Sequence, residues 1–282
     1  MENQTCDILE QIRLDYYRLT ASERKIADYV CHNAPKVQFL SITELAQACS
    51  VADSTVTRFC RSLNQPGFNA FKLELARNLV VTGEQEEQPF DDTIQGRCRK
   101  TAAQVQLAME KTIQVIDEDA LDQAVTILEK AGRVLVIGTG GGLHTATKWA
   151  HIFSTVSDKF KAVGDTHMQS MELAMMSEND AVLMVSYSGA TKNGIEILAL
   201  ARSYGIPTIL VSHFPQSPAA EYADVVLRIG YDENPLDIGT MPTRVAAMMV
   251  QDMLLQEYYR RNKEQCEVHR RRIAEAIATQ HV

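Results

Sequence analysis

The stretch Ala181-Val182-Leu183-Met184-Val185-Ser186-Tyr187-Ser188-Gly189-Ala190-Thr191 decides the architecture of the C-terminal part of the chain. Five apolar residues in a row fit a strand buried on both faces, and such strands belong to parallel sheets covered by helices. The run then breaks into hydroxyl side chains and a glycine, just before a helical pattern begins. Free backbone N–H groups and the positive end of a helix attract an anion at such a place, and each hydroxyl can add a hydrogen bond. The segment therefore fits a phosphate. A serine-rich turn that merely caps the helix fits the same residues.

Working outward, apolar runs and helical stretches alternate on both sides. Strands are predicted over 133–137, 160–163, 181–185, 208–211 and 225–229, with helices over 143–156, 167–176 and 191–204. That order predicts a doubly wound parallel α/β domain, whose ligands sit at the carboxyl ends of the strands. The loop Gly138-Thr139-Gly140-Gly141-Gly142 after the first strand invites a dinucleotide reading, but the G-x-G-x-x-G spacing needs glycine where Leu143 stands. No cofactor is expected. Residues 93–131 read as bridging helices, and 243–259 as an apolar helix that packs on the sheet and takes part in self-association. The tail from Arg260, with Arg270, Arg271 and Arg272, reads as a solvated end in preference to an extra phosphate contact.

The N-terminal part belongs to a different class, all-helical in pattern. Residues 82–92, acidic and interrupted by Gly83 and Pro89, cannot bury enough apolar surface to fold and read as a linker. The expected division is a helix-turn-helix domain over 1–81, this linker, and the α/β domain with its bridging and C-terminal helices over 93–282. Thr20-x-x-Glu23 and Ser41-x-x-Glu44 are capping boxes, each followed by apolar residues at helical spacing. Residues 41–49 fit a supporting helix, Ser50-Val51-Ala52 a tight turn, and 53–63 a recognition helix that buries Val56, Phe59, Cys60 and Leu63. Ser54, Thr55, Thr57, Arg58 and Arg61 are then expected to face outward, where short hydroxyls and arginines suit base edges and phosphates. From the pattern alone, a pair of ordinary solvated helices fits equally well.

Composition bounds the rest. A chain of 282 residues has room for two cores, and its 45% hydrophobic and 23% charged content is ordinary for a globular protein. No run reaches the length of a membrane span and no secretory signal is visible, so a cytoplasmic protein is expected. The six cysteines (Cys6, Cys31, Cys49, Cys60, Cys98 and Cys266) lack metal-ligand spacing and read as reduced thiols. A net charge of −8 argues at first sight against nucleic acid, yet residues 1–80 carry nine basic and nine acidic side chains. A neutral reading head is weak alone, so a dimer or tetramer is expected to supply affinity through paired half-sites.

The segments Leu19-Thr20-Ala21-Ser22-Glu23 to Val30, Ser41-Ile42-Thr43-Glu44-Leu45-Ala46, Thr55-Val56-Thr57-Arg58-Phe59-Cys60-Arg61 and Phe71-Lys72-Leu73 resemble the N-terminal domain of the RpiR family of bacterial transcription regulators. Ala52 departs from it, since a serine usually caps the recognition helix there. Gly138-x-Gly140, Asp165-x-His167-Met168-Gln169, Ser186-x-Ser188-Gly189-x-Thr191, Ile206-x-x-Ile209, Ser217-Pro218-Ala219-Ala220 and Ala223-Asp224 resemble the sugar isomerase (SIS) domain. The resemblance implies a regulator of sugar or amino-sugar genes, whose partners are a double-stranded operator, a phosphorylated sugar and another copy of the chain, with no membrane. It implies that Ser186, Ser188 and Thr191 hold the phosphate, with Gly140, Gly142, Gly189, Thr243 and Arg244 around the ligand. Gly142 stands where the family commonly has serine. Leu236-Asp237-Ile238-Gly239 stands where it has an aromatic-Arg-Ser-Gly stretch, so either the effector is not a simple hexose phosphate or sensing is weakened. SIS domains also occur in sugar-phosphate isomerases and etherases. His144, His167, Glu172 and His213 are the bases such chemistry would draw on, but an isomerase has no use for a DNA-binding domain and no catalytic residue is assigned.

Overall fold

A computed structural model describes residues 8–81, 92–233 and 239–278. They form two compact units, one ending at Lys100 and taking in Asp232–Thr240 as well, the other running over Thr101–Tyr231 and from Met241 onward. Residues 82–91 of the expected linker, and Leu236, Asp237 and Ile238, lie outside the described residues.

The first unit contains α1 (Ile8–Asp15), α2 (Ala21–Val37), α3 (Ile42–Ala48), α4 (Asp53–Ser62) and α5 (Phe68–Val81). Both capping boxes form. The Thr20 hydroxyl accepts the Glu23 N–H while the Glu23 carboxylate accepts the Thr20 N–H at 2.9 Å, and Ser41 and Glu44 repeat the exchange at 3.1 and 2.8 Å. Two orphan amides at each helix start are satisfied this way. Helix α2 kinks at Asn33, whose φ of −133° leaves the helical range two residues before Pro35. The Asn33 side-chain amide donates to the Tyr29 carbonyl at 2.9 Å, standing in for the backbone bond that the kink removes. The core gathers Ile26, Leu45, Val56, Phe59, Leu63 and Phe71, all fully buried. Burial pushes the Cys60 thiol up to about 12, so it stays protonated and unreactive.

The second unit is a five-stranded parallel sheet of order β2-β1-β3-β4-β5, built from β1 (Val134–Ile137), β2 (Phe160–Ala162), β3 (Ala181–Val185), β4 (Thr208–Ser212) and β5 (Val225–Arg228). Every residue of β1, β3 and β4 is buried, because helices cover both faces. Val134, Val136, Leu183 and Val185 face one layer with Leu128 of α7 (Glu118–Lys130), Phe153 of α8 (Gly141–Ser154) and Leu254 of α11 (Met241–Arg261). The alternate residues Leu135, Ile137, Val182 and Met184 face the other, with Leu173 of α9 (Thr166–Ala174) and Leu198 of α10 (Lys192–Ser203). Helix α6 (Ile94–Val115) precedes α7, as expected of the bridging stretch. The tail differs from the expected loose end: α12 (Lys263–Ala278) is helical, buries Cys266, and lays Arg270 over the Tyr259 ring at 4.4 Å, although Arg271 and Arg272 are exposed.

The strand order places the switch point between β1 and β3. The chain leaves β1 for β2 on one side and returns to β3 on the other, so the loops at their carboxyl ends diverge and leave a crevice.

Candidate functional site

Two places carry the chemistry anticipated above, one in each unit. In the first, Ala46 is buried where α3 and α4 meet, and Ser50 takes a left-handed φ of 53° to make the turn. The Val51 N–H then donates to the Ala46 carbonyl at 2.9 Å. Ala52 supplies no side-chain cap to α4, but Asp53 stands in its first turn, where a carboxylate favours the positive helix end. The Asp53 carboxylate also accepts the Thr43 hydroxyl at 2.9 Å and so ties α3 to α4.

On α4, Val56, Phe59, Cys60 and Leu63 are buried as expected, and Ser54, Arg58 and Arg61 are exposed. Thr55 is the exception: it is only 6% exposed, because it lies one turn before Phe59 and shares its side of the helix. Its hydroxyl accepts Arg58 Nη2 at 3.1 Å, so it steadies a guanidinium instead of facing outward itself. Thr57 is half-buried and bonds back to the Asp53 carbonyl at 3.3 Å. Among the described residues, the Ser54 and Arg61 side chains have no hydrogen-bond partner and Arg58 is held at one corner only.

In the second unit the crevice is framed by the loops after β1 and β3. Gly140 has φ 55°, a backbone that suits glycine, and α8 begins at the next residue. Gly142 packs against the end of β3: a Cβ there would lie 2.6 Å from the Val185 carbonyl oxygen. The buried Gln169 amide, on α9, donates to the Gly138 carbonyl at 3.2 Å and the Val163 carbonyl at 2.8 Å, and so pins the glycine loop.

In the opposing loop, the Ser186 and Ser188 hydroxyls accept the N–H groups of Gly189 and Ala190, at 3.2 and 3.3 Å. Their protons remain free to donate. Thr191 is the N-cap of α10 but makes no side-chain capping bond, and the amides of Lys192, Asn193 and Gly194 have no acceptor among the described residues. From behind, the chain that follows β4 grips the loop by its carbonyls. Tyr187 O accepts the Ser212 hydroxyl at 2.9 Å and the His213 N–H at 3.0 Å, and Gly189 O accepts the Ala219 N–H at 2.9 Å. With those carbonyls held at the back, the open amides and hydroxyl protons form a donor-rich surface at a helix start, which is what an anion needs.

The expected residues are not all brought together. Gly140 and Gly142 line one loop and Ser186, Ser188, Gly189 and Thr191 the other. Thr243 and Arg244 sit on the first turn of α11, where Thr243 is buried and Arg244 is exposed. Of the possible bases, Glu172 pairs with Lys161 at 2.6 Å, and that hydrogen bond holds its carboxyl below the usual range. His213 Nδ1 lies 2.8 Å from the Ile229 carbonyl and its ring stacks on Tyr187. His144 and His167 are exposed. An open groove of about 350 Å3 also lies towards the amino ends of β1 and β2, lined by Arg133, Lys159, Lys161 and Glu172. Arg133 pairs with Asp180 at 3.1 Å and Lys161 with Glu172, so those charges are already committed. The carboxyl end of the sheet is the better ligand site.

Gln169 and Ser217 stood in the sequence only within motifs that carry the resemblance, with no role as brace or backing, and sequence reasoning missed Ser212 behind the hydroxyl loop and Gly194, where a Cβ would lie 2.8 Å from Thr191 Oγ1. All four act across gaps in sequence or through a missing side chain, which no local pattern announces.

Residues 6–81 match the family model for the rpiR-family helix-turn-helix domain, and residues 127–256 match that for the SIS domain. An uncharacterised HTH-type transcriptional regulator of Haemophilus influenzae is 31% identical over 255 residues, covering 88% of each chain. The HTH-type transcriptional regulator HexR of Pseudomonas aeruginosa is 29% identical over 273 residues, covering 96% of this chain and 95% of that one. The Vibrio vulnificus NanR protein, solved in complex with ManNAc-6P, superposes with a TM-score of 0.89 at 26% identity, covering 98% of this chain and 99% of that one.

Proposed function

The chain belongs to the rpiR family of helix-turn-helix regulators, and from that premise we propose how its parts divide the work of a sugar-phosphate-responsive transcriptional regulator. Residues 1–81 form the operator-reading head, 82–92 the acidic link, and 93–282 the sensor. Ser54, Arg58 and Arg61 meet the major groove, with Thr57 beside them and Thr55 steadying Arg58. Two or more copies bind together, because a head with balanced charge has little attraction for a single half-site. The regulator works in the cytoplasm, where its operator is.

The effector is a phosphorylated sugar held at the β1/β3 switch point. The observation that carries this reading is the donor-rich surface at Ser186, Ser188, Thr191 and the open amides of α10, facing a glycine loop at the start of α8. A dianionic phosphate gains charge-assisted hydrogen bonds from such a surface. Gly140 and Gly142 border the sugar and Thr243 and Arg244 supply a further contact. The role is regulatory, not catalytic: Glu172, the one carboxylate among the possible bases, is tied to Lys161, and a DNA-reading head has no use in an isomerase.

The test is operator binding by fluorescence anisotropy, using DNA from upstream of the protein's own gene, with and without a panel of sugar phosphates including ManNAc-6P. At least one sugar phosphate should change operator affinity, and the corresponding unphosphorylated sugar should not. Operator binding indifferent to every phosphate in the panel would remove the sensor role and leave only the DNA-binding one.

A further inference from the structure

Ser217 is fully buried, yet its hydroxyl has no hydrogen-bond partner among the described residues. It lies directly behind the hydroxyl loop. A Cβ built on Gly189 would fall 2.0 Å from Ser217 Oγ and 2.5 Å from Ser217 Cβ, so only a residue without a side chain lets the two segments touch. On either side of this contact the backing segment is fully bonded to the loop, through Ser212 and His213 to Tyr187 O and through Ala219 to Gly189 O. The Ser217 hydroxyl alone, in the middle of the grip, is idle.

A buried hydroxyl without a partner raises the free energy of the state that contains it, and a second state in which it is bonded would remove that cost. The movable part is next to it. Gly189 has φ 56° and, as glycine, can take either sign of φ with little penalty, so the Ser188–Gly189 peptide can turn over without disturbing β3 or α10. In the present arrangement the Gly189 N–H points back to Ser186, at 3.2 Å from both its carbonyl and hydroxyl oxygens.

We propose that Ser217 is a positioning residue for the effector loop: its hydroxyl donates to the Ser188–Gly189 peptide once an anion has turned that peptide over, and so couples occupancy of the site to the shape of the loop. This rests on the anion-binding reading of the loop given above. An effector moves an equilibrium only by its difference in affinity for two states, and a hydrogen bond present in one state and absent from the other supplies such a difference.

The experiment is thermal unfolding of the full chain, wild type and Ser217→Ala, without ligand and with saturating inorganic phosphate, then with ManNAc-6P. Without ligand, Ser217→Ala should melt at the same temperature as wild type or higher, because the substitution removes an unpaired polar group. Its affinity for the anion, titrated by the same shift, should fall on the order of tenfold, the loss of one hydrogen bond to the bound loop. A merely structural serine would give the opposite pattern, a lower ligand-free melting temperature with unchanged anion affinity, and that result overturns the proposal. So does a variant that matches wild type with and without anion. A wild type that neither phosphate nor ManNAc-6P shifts would instead defeat the anion reading of the loop, and this inference with it.

Discussion

Alanine at Gly142 and alanine at Gly141 should part company in stability, although the two glycines are neighbours in the first turn of the same helix. At Gly141 nothing lies within 4 Å of an added Cβ; at Gly142 that Cβ would meet the Val185 carbonyl oxygen at 2.6 Å. Neither glycine has a left-handed φ, so alanine strains neither backbone directly. Each variant gains a similar helix propensity, at most about 1 kcal/mol, and that gain cancels in the comparison. What remains is the collision at Gly142. The oxygen belongs to a central strand and Gly142 to the helix packed on it, so neither can yield like the tip of a flexible side chain, and overpacking of this kind costs about 1–3 kcal/mol. Gly141→Ala should therefore be neutral or slightly stabilising, while Gly142→Ala melts about 2–12 °C below it, at roughly 2–4 °C per kcal/mol for a unit of this size. Gly142→Ser, which installs the residue common in the family, should resemble Gly142→Ala, since the first atom added is the one that collides. The assay is thermal unfolding of all three variants, followed on the transition of the α/β unit. If Gly141→Ala and Gly142→Ala melt together, α8 does not lie against β3 as closely as described.

Three other outcomes are expected. Arg58→Ala and Arg61→Ala should each weaken operator binding by about 1–3 kcal/mol with the fold intact, as anisotropy and circular dichroism would report; unchanged affinity in both would remove α4 as the reading helix. Ser188→Ala combined with Thr191→Ala should retain operator binding while the response to sugar phosphate is lost, because two hydroxyl donors leave the anion surface and β3 is untouched; a full response in the double variant would place the phosphate elsewhere. Lys72 donates to the Leu40 carbonyl at 3.0 Å, and burial pushes its ammonium down to about 8, against a smaller upward pull from Glu44. Between that value and the ordinary lysine range the unfolded chain binds more protons than the folded one, so Lys72 should make stability rise with pH above about 8, by at most about 1.4 kcal/mol per pH unit. Lys72→Met should flatten this rise in denaturant titrations from pH 7.5 to 9.5, and an identical slope in the variant would contradict the burial.

Much of the fold was legible because its determinants are local. A capping box occupies four consecutive residues, and Thr20 with Glu23, or Ser41 with Glu44, needs no tertiary partner to start its helix. The central strands were found to within a residue because burial on both faces writes an unbroken apolar run, as in 181–185. What could not be read depends on which turn of a helix meets which neighbour. Thr55 looks outward as a small polar residue beside Arg58, but the rotation of α4 is set by Phe59 and Leu63 sinking into the core, and that rotation carries Thr55 inward with them. The helix at 263–278 carries only a narrow apolar stripe, with Cys266 buried and Arg270 laid on Tyr259, so composition reads it as solvated tail. At the candidate site the hydroxyl loop and the glycine-opened helix α8 were visible as letters. Ser217, 28 positions beyond Gly189, acts on a Cα that has no side chain, and such a contact leaves no trace in spacing.

The floor of the hydroxyl loop is made largely of main chain: the amides of Lys192, Asn193 and Gly194, with Tyr187 and Gly189 gripped from behind by their carbonyls. A group contributed by the backbone survives any substitution that leaves the fold standing. Over evolutionary time, then, the end of the crevice suited to an anionic group is conserved by architecture, while an exposed side chain such as Arg244 is free to drift. A lineage built on this plan can exchange one effector for another by altering a few side chains at the opposite end of the crevice, without first losing the ability to hold a ligand.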